Sequence, residues 1–252
     1  MACKRVIACL DLQDGRTVKG VNFQGLKDLG DPAELALMYQ DQGADEITVL
    51  DVTASSRKRP ADTVCVERIA RNLSIPLCAG GGVKTLEHAR LLLESGADKV
   101  SVNSAATGNP DLISEIAMRY GSQCCVLAVD AAWKGSFWTV LTHGGTRDTG
   151  MELLTWIRKG VFAGCGEILL TSWNRDGTGQ GFDIPLTAAV SNACSVPVVA
   201  SGGAGKPSDF IDVFLKGNAD AALAAGILHR NEFTVKQIKD ELEKSGIEVR
   251  PC

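Results

Sequence analysis

Short apolar runs of three to five residues recur along the chain at Val6–Leu10, Ile47–Leu50, Ile75–Cys78, Lys99–Val102, Cys125–Val129, Ile168–Leu170, Val196–Ala200 and Ala221–Ala224. Continuous runs of this length, without polar alternation, predict strands buried on both faces. Segments with helical spacing lie between them. Asp31-Pro32 predicts a helix start, with Asp as cap and Pro at the first position, ahead of Leu35, Leu37, Met38 and Tyr39. Asn109-Pro110 repeats that signal before Leu112, Ile113, Ile116 and Ala117. Thr85 is the expected cap of Leu86–Leu93, and Pro207 opens Phe210–Leu215. Residues 62–72 and 234–244 show the same spacing through Val66, Ile69 and Ala70, and through Val235, Ile238 and Leu242. Phe137–Leu141, followed by Thr142-His143-Gly144-Gly145, predicts a short hairpin after the fifth strand.

Strands alternating with helices predict parallel βαβ units. An internal repeat then selects the architecture. Gly43-Ala44-Asp45-Glu46-Ile47 matches Gly164-Cys165-Gly166-Glu167-Ile168, 121 positions later. Ala79-Gly80-Gly81-Gly82 matches Ala200-Ser201-Gly202-Gly203, and Ala97-Asp98-Lys99-Val100 matches Ala219-Asp220-Ala221-Ala222, with an offset of 122 by the glycine pair and by Ala97. Two halves of four βα units close into a (β/α)8 TIM barrel, whereas an open doubly wound sheet needs no equivalent halves. No low-complexity linker divides the chain, so residues 1–252 are expected to form one domain.

Composition narrows the chemistry. A net charge of −4 argues against a general nucleic-acid partner. Nine cysteines with no C-x-x-C pair and no zinc spacing predict free thiols in a reducing compartment and no metal. The N-terminus carries no signal-peptide core and no run reaches membrane-spanning length, so a cytoplasmic protein without a membrane partner is expected.

Two of the apolar runs end in a carboxylate, Asp11 after Ile7-Ala8-Cys9-Leu10 and Asp130 after Val126-Leu127-Ala128-Val129. An Asp at a strand end is often only a turn former. Here the two fall on strands one and five, opposite each other in an eight-stranded barrel, and so are candidates for an acid and a base. Gly81-Gly82 and Ser201-Gly202-Gly203 follow strands three and seven, while Asn103-Ser104 and Ala225-Gly226 follow strands four and eight. Such loops either make tight turns or present backbone N–H groups to phosphate. Their occurrence as two symmetric pairs predicts two phosphates on one elongated substrate. Arg5, Glu46, Lys99 and Glu167 stand at strand beginnings, where two cations and two anions can meet as a plug in the barrel floor.

These residues carry a resemblance. Ile7–Asp11, Asp14-Gly15-Arg16, Val18-Lys19-Gly20, Leu50–Thr53, Gly80–Val83, Lys99–Ala105, Gly166–Ser172, Arg175–Thr178 and Ala200–Gly205 together resemble the cyclase subunits of imidazole glycerol phosphate synthases, essentially end to end. The resemblance implies a histidine-biosynthetic lyase without a cofactor. Its substrate would be a ribulosyl-linked aminoimidazole carboxamide nucleotide with two phosphates. Ammonia would convert it to imidazole glycerol phosphate and aminoimidazole carboxamide ribonucleotide. The resemblance further implies acid/base roles for Asp11 and Asp130. It makes Lys19 the basic residue of the loop after strand one, and Asn103, Thr171, Asp176, Gly177 and Ser201 substrate contacts. Arg5, Glu46, Lys99 and Glu167 would gate an ammonia passage. No Gly-x-Cys-x-Gly glutaminase turn is present, so a separate glutaminase subunit is expected on the strand-start face.

Three segments depart from the family pattern. Trp173-Asn174 stands where an aliphatic residue or Met and then Asp are usual, Gly179-Gln180-Gly181 lacks the customary Lys, and Gly160–Ala163 is less polar than usual. Two alternatives to the cyclase are the half-repeated aminoaldose isomerase of the same pathway and a non-catalytic, phosphate-binding barrel subunit.

Overall fold

The strands form in chain order as β1 (Arg5–Gln13), β2 (Arg16–Val21), β3 (Gln24–Gly30), β4 (Glu46–Asp51), β5 (Leu77–Gly80), β6 (Lys99–Val102), β7 (Cys125–Trp133), β8 (Trp138–Thr142), β9 (Arg147–Glu152), β10 (Glu167–Ser172), β11 (Val198–Ser201) and β12 (Ala221–Ala224) in a computed structural model that describes residues 3–21, 24–52 and 62–252. Eight of them pair in parallel in the ring β1-β4-β5-β6-β7-β10-β11-β12, and β12 pairs back onto β1. The (β/α)8 barrel expected from the repeat is the architecture observed. β1 and β7 lie four strands apart whichever way round the ring is followed.

Period-two alternation divides the barrel strands between an outer and an inner face. Outward side chains such as Val6, Ala8, Leu10, Leu127 and Ile168 join the large core beneath the helices. Ile7, Cys9, Cys78, Val126, Leu169, Val199 and Leu223 fill the barrel interior. The helices form where caps allow. Asp31 accepts from the N–H groups of Ala33 and Glu34 at the start of Pro32–Asp41, and Thr85 accepts from His88 at the start of Leu86–Glu94. Gly160, inside the helix Leu153–Ala163, lacks a side chain because a Cβ there would lie 2.2 Å from Leu127 on β7. Phe162, on the same helix, faces outward.

One device recurs at the strand-start end. Asp45, Asp98 and Asp220, each the residue immediately before a barrel strand, accept from the backbone N–H groups of Val6, Leu77 and Val198 at 2.8, 2.8 and 3.0 Å. Each carboxylate thus fixes the register of one strand against its neighbour. In the fourth equivalent place stands Gly166, where a Cβ would lie 2.3 Å from the carbonyl oxygen of Ser122.

The strand boundaries differ from the sequence expectation in a consistent way. β5 and β11 begin after Pro76 and Pro197, which have no N–H for the ladder; their carbonyls accept from Ile47 and Ile168 instead. β1 and β7 run past Asp11 and Asp130 as far as Gln13 and Trp133, because antiparallel hairpins continue them. Asp14 and Gly15 both have positive φ, 51° and 75°, in the two-residue turn that joins β1 to β2. Asp-Gly between apolar segments is the sequence signal for that hairpin. The single hairpin expected after the fifth strand is a three-stranded ribbon of β7, β8 and β9.

Candidate active site

The residues at the strand ends form one inward-facing layer. Register places Asp11 beside Leu50, Leu50 beside Gly80 and Gly80 beside Ser101 in one half. Asp130 lies beside Thr171, and Thr171 beside Ser201, in the other. Gly80 is required within this layer, since a Cβ would lie 1.8 Å from the Ser101 hydroxyl. Asp11 and Asp130 therefore occupy the same end of the barrel on opposite walls, and both are buried.

A cavity of about 560 Å³ opens there, walled by Gly81, Gly82, Asn103, Ser104, Asp130 and Thr171 of the expected site, together with Asp51, Lys84, Ser101, His143 and Gly144. Asp11, Asp176, Gly177, Ser201, Gly202, Gly203, Ala225 and Gly226 are not on its wall. Lys19 falls on β2 opposite Lys27; its side chain, like the whole of Thr53, lies outside the described residues.

Asp130 carries the clearest electrostatic signature. Burial pushes its carboxyl up to about 6, the amide of Asn103 opposes this by donating to Oδ2 at 3.0 Å, and the charge of Asp176 adds to the rise. A carboxyl in that range holds a proton in part of the population at neutral pH and can give it up. Cys9 Sγ lies 3.7 Å from Asp11 Oδ1.

The glycine loops pack tightly against the neighbouring strands. Gly81 and Gly202 both have φ near 90°, and a Cβ would lie 2.2 Å from the carbonyl oxygen of Asp51 in one case and 2.9 Å from that of Ser172 in the other. Tight packing against the preceding strand thus demands glycine at each. Asn103 and Ala225 have closely similar backbone angles, φ −133° and −130°, ahead of the short helices Ser104–Gly108 and Gly226–His229. Both short helices begin directly after the ends of their strands, and a helix leaves its first N–H groups without an intrahelical acceptor. The loop amides of Gly205 and Lys206 already donate to Asp209, so they are not free in the same way. Replacing Gly81 by alanine is expected to lower stability by about 1–3 kcal/mol, as thermal melts would report.

Sequence reasoning overlooked two supports. Tyr39 Oη lies 2.7 Å from His229 Nδ1, tying the short helix Gly226–His229 to Pro32–Asp41. The tip of the β8–β9 ribbon reaches the start of the short helix Ser104–Gly108, with the His143 N–H donating to Ser104 Oγ at 2.8 Å. His143, Gly144 and Gly145 all have positive φ, the chain turning back through three left-handed residues. Trp173 covers that tip; its ring would be 2.0 Å from a Cβ on Gly145. Asn174 Oδ1 accepts from the Trp133 N–H at 2.9 Å. The contact needs an acceptor and no charge, so asparagine serves where the family usually has aspartate. In the following loop Arg175 donates to the Gln180 carbonyl at 3.3 Å.

At the opposite end the four charged residues meet. Arg5 pairs with Glu46 at 3.0 Å and with Glu167, while Lys99 pairs with Glu46 at 2.8 Å and with Glu167 at 2.7 Å. Each cation bridges both anions. Burial pulls the Lys99 ammonium down, but Glu46 and Glu167 outweigh it and the net shift is upward. Burial likewise raises Glu46, with Lys99 opposing. Elsewhere burial lifts the thiols of Cys65 to about 11 and of Cys125 and Cys165 to about 12, so these behave as small apolar side chains.

Residues 5–234 match the histidine biosynthesis protein family. The imidazole glycerol phosphate synthase subunit HisF of Pyrococcus furiosus is 52% identical over 250 residues, 99% of each chain. The subunit of the same name from Thermococcus gammatolerans is 51% identical over 250 residues, again 99% of each. A match of this length and density, on a closed barrel with matched glycine loops, shows that the chain belongs to the histidine biosynthesis protein family, alongside the HisF subunits of imidazole glycerol phosphate synthase.

Proposed function

We propose that the chain is the cyclase subunit of an imidazole glycerol phosphate synthase and acts by paired carboxylate catalysis. The substrate is the bisphosphorylated ribulosyl aminoimidazole carboxamide nucleotide. One phosphate lies against Gly81, Gly82 and the Ser104 helix start, the other against Gly177, Gly202, Gly203 and the Gly226 helix start. The reacting centre then falls between the two Asp walls. Asp130 supplies protons to the leaving oxygen and nitrogen, and Asp11 accepts them from incoming ammonia and from the closing ring. Asn103, Thr171, Asp176 and Ser201 hold the substrate between those walls, and Lys19, on the β2–β3 ribbon that follows β1, supplies a positive charge of that segment.

The observation that carries this reading is the pair of buried carboxylates at one end of the barrel, on opposite walls, with Asp130 held near 6. The names of the relatives favour the cyclase over the isomerase and over a non-catalytic subunit. Ammonia is taken to arrive from a glutaminase partner on the strand-start face, through the ring of Arg5, Glu46, Lys99 and Glu167. The apolar interior of Ile7, Val126, Leu169 and Val199 then offers a neutral molecule a path and a charged one none.

The test uses ammonium salts and the bisphosphate nucleotide with no partner present. The parent is expected to consume the nucleotide, and Asp11→Asn is expected to bind it while turning over about a hundredfold more slowly or less. Turnover at the parent rate in Asp11→Asn would remove the acid/base assignment.

A further inference from the structure

One buried ion pair has no part in the reaction derived above. Lys239, on the helix Val235–Lys244, places Nζ 2.8 Å from Asp45 Oδ1, and both side chains are 2% exposed. The same ammonium donates to the Arg250 carbonyl at 3.0 Å. Asp45 uses its second oxygen, Oδ2, to accept from the Val6 N–H, and its own N–H donates to the Val6 carbonyl at 3.0 Å. Val6 follows Arg5 and Asp45 precedes Glu46, so this clamp sets one cation and one anion of the floor ring side by side.

The arrangement differs between the halves. At Glu167 the preceding residue is Gly166, held by its own N–H on the Cys125 carbonyl, with no side chain to link it elsewhere. At Glu46 the link continues to the last residues of the chain, where Lys4 also forms a bridge to Val249 and donates to the Glu248 carbonyl at 2.8 Å. Residues 248–250 therefore lie on the strand-start side of the barrel, one side chain away from the ring. Full burial of a lysine has a desolvation cost that a purely apolar contact would avoid. Its placement immediately behind Arg5 and Glu46 gives the cost a use.

We propose that Lys239 is a positioning residue for the ammonia gate: through Asp45 it fixes the spacing of Arg5 and Glu46 and couples that spacing to the C-terminal segment. This rests on the reading of the ring as a gate. Ammonium salts supply ammonia from solution, so the clamp matters only for ammonia delivered from the partner through the floor.

The experiment compares glutamine-driven with ammonium-driven turnover in the two-subunit synthase. The variant is the double substitution Asp45→Asn with Lys239→Met, which removes both charges together. Its ammonium-driven turnover is expected to stay within about twofold of the parent, while the ratio of glutamine-driven to ammonium-driven turnover falls about threefold or more. Lys99→Met, in the ring itself, is measured beside it. A ratio shifted by Lys99→Met and untouched by the double variant overturns the role of Lys239 and leaves the gate standing. A ratio untouched by Lys99→Met removes the gate, and this inference with it. Should the double variant not fold, Lys239→Arg keeps the charge and alters the reach. The ratio is then expected to fall by a smaller factor, and an unchanged ratio overturns the proposal.

Discussion

Asp130→Asn is expected to lose about a hundred- to ten-thousand-fold in ammonium-driven turnover and to be more stable than the parent at neutral pH. Both effects come from the same burial. The native carboxyl sits near 6 because it is buried, despite the Asn103 amide at 3.0 Å. In the unfolded chain an aspartate titrates near 3.9. Between those values the native state binds more protons than the unfolded one, so this group's contribution to stability falls as pH rises through the window. Above it the full penalty stands, about 2–3 kcal/mol. Asparagine has no charge to desolvate, and its amide oxygen still accepts from Asn103. The gain should therefore be present near pH 8 and vanish near pH 4. Denaturant unfolding of parent and variant at the two pH values measures it. Identical pH slopes would mean that Asp130 is not desolvated as described, and the proton it is assigned would lose its physical basis.

Lys239→Met alone is expected to cost about 3–5 kcal/mol of stability, far more than the double variant with Asp45→Asn. The single change strands a carboxylate that is 2% exposed, with only the Val6 N–H left beside it. The double change leaves an amide whose oxygen can still accept that N–H beside an apolar side chain of similar length. A double-mutant cycle by chemical denaturation separates the coupling from the single losses. Equal stability of the single and double variants would show that the pair is not desolvated in solution. Exposed pairs elsewhere, such as Arg71 with Glu67, are expected to contribute under 1 kcal/mol because both side chains are more than half exposed.

The sequence carried the barrel because its evidence was periodic and repeated. Runs such as Val6–Leu10 and Val126–Val129 need cover on both faces, and the two equivalent halves select a closed ring over an open sheet with helices on both sides. The matched pairs Glu46 and Glu167, Gly81 and Gly202, and Asn103 and Ala225 lie 121, 121 and 122 positions apart, so equivalent residues reach equivalent loops. Asp14-Gly15 has the composition of a hairpin turn, yet the run before it reads as a strand that stops at Asp11 and opens into a loop. The antiparallel continuation becomes visible only when Val18 is seen paired to Asp11. His143 and Lys84 were invisible as wall residues, since nothing local distinguishes them from other exposed loop positions. Trp173-Asn174 was legible as a departure from the family, but its partners Gly145 and Trp133 lie more than a strand away in the chain.

By itself, then, the order of residues determined which segments become strands, how many units the ring contains, and that one carboxylate stands at the mouth of each half. Those are consequences of spacing, and spacing is written in the chain. Only the tertiary structure decided that Asp130 is desolvated beside Asn103 and Asp176 while Asp11 stands off the cavity wall, and that Lys239 reaches Asp45 across nearly two hundred positions. Dielectric surroundings and long-range pairing arise from side chains brought together by closure of the ring. No local pattern encodes them.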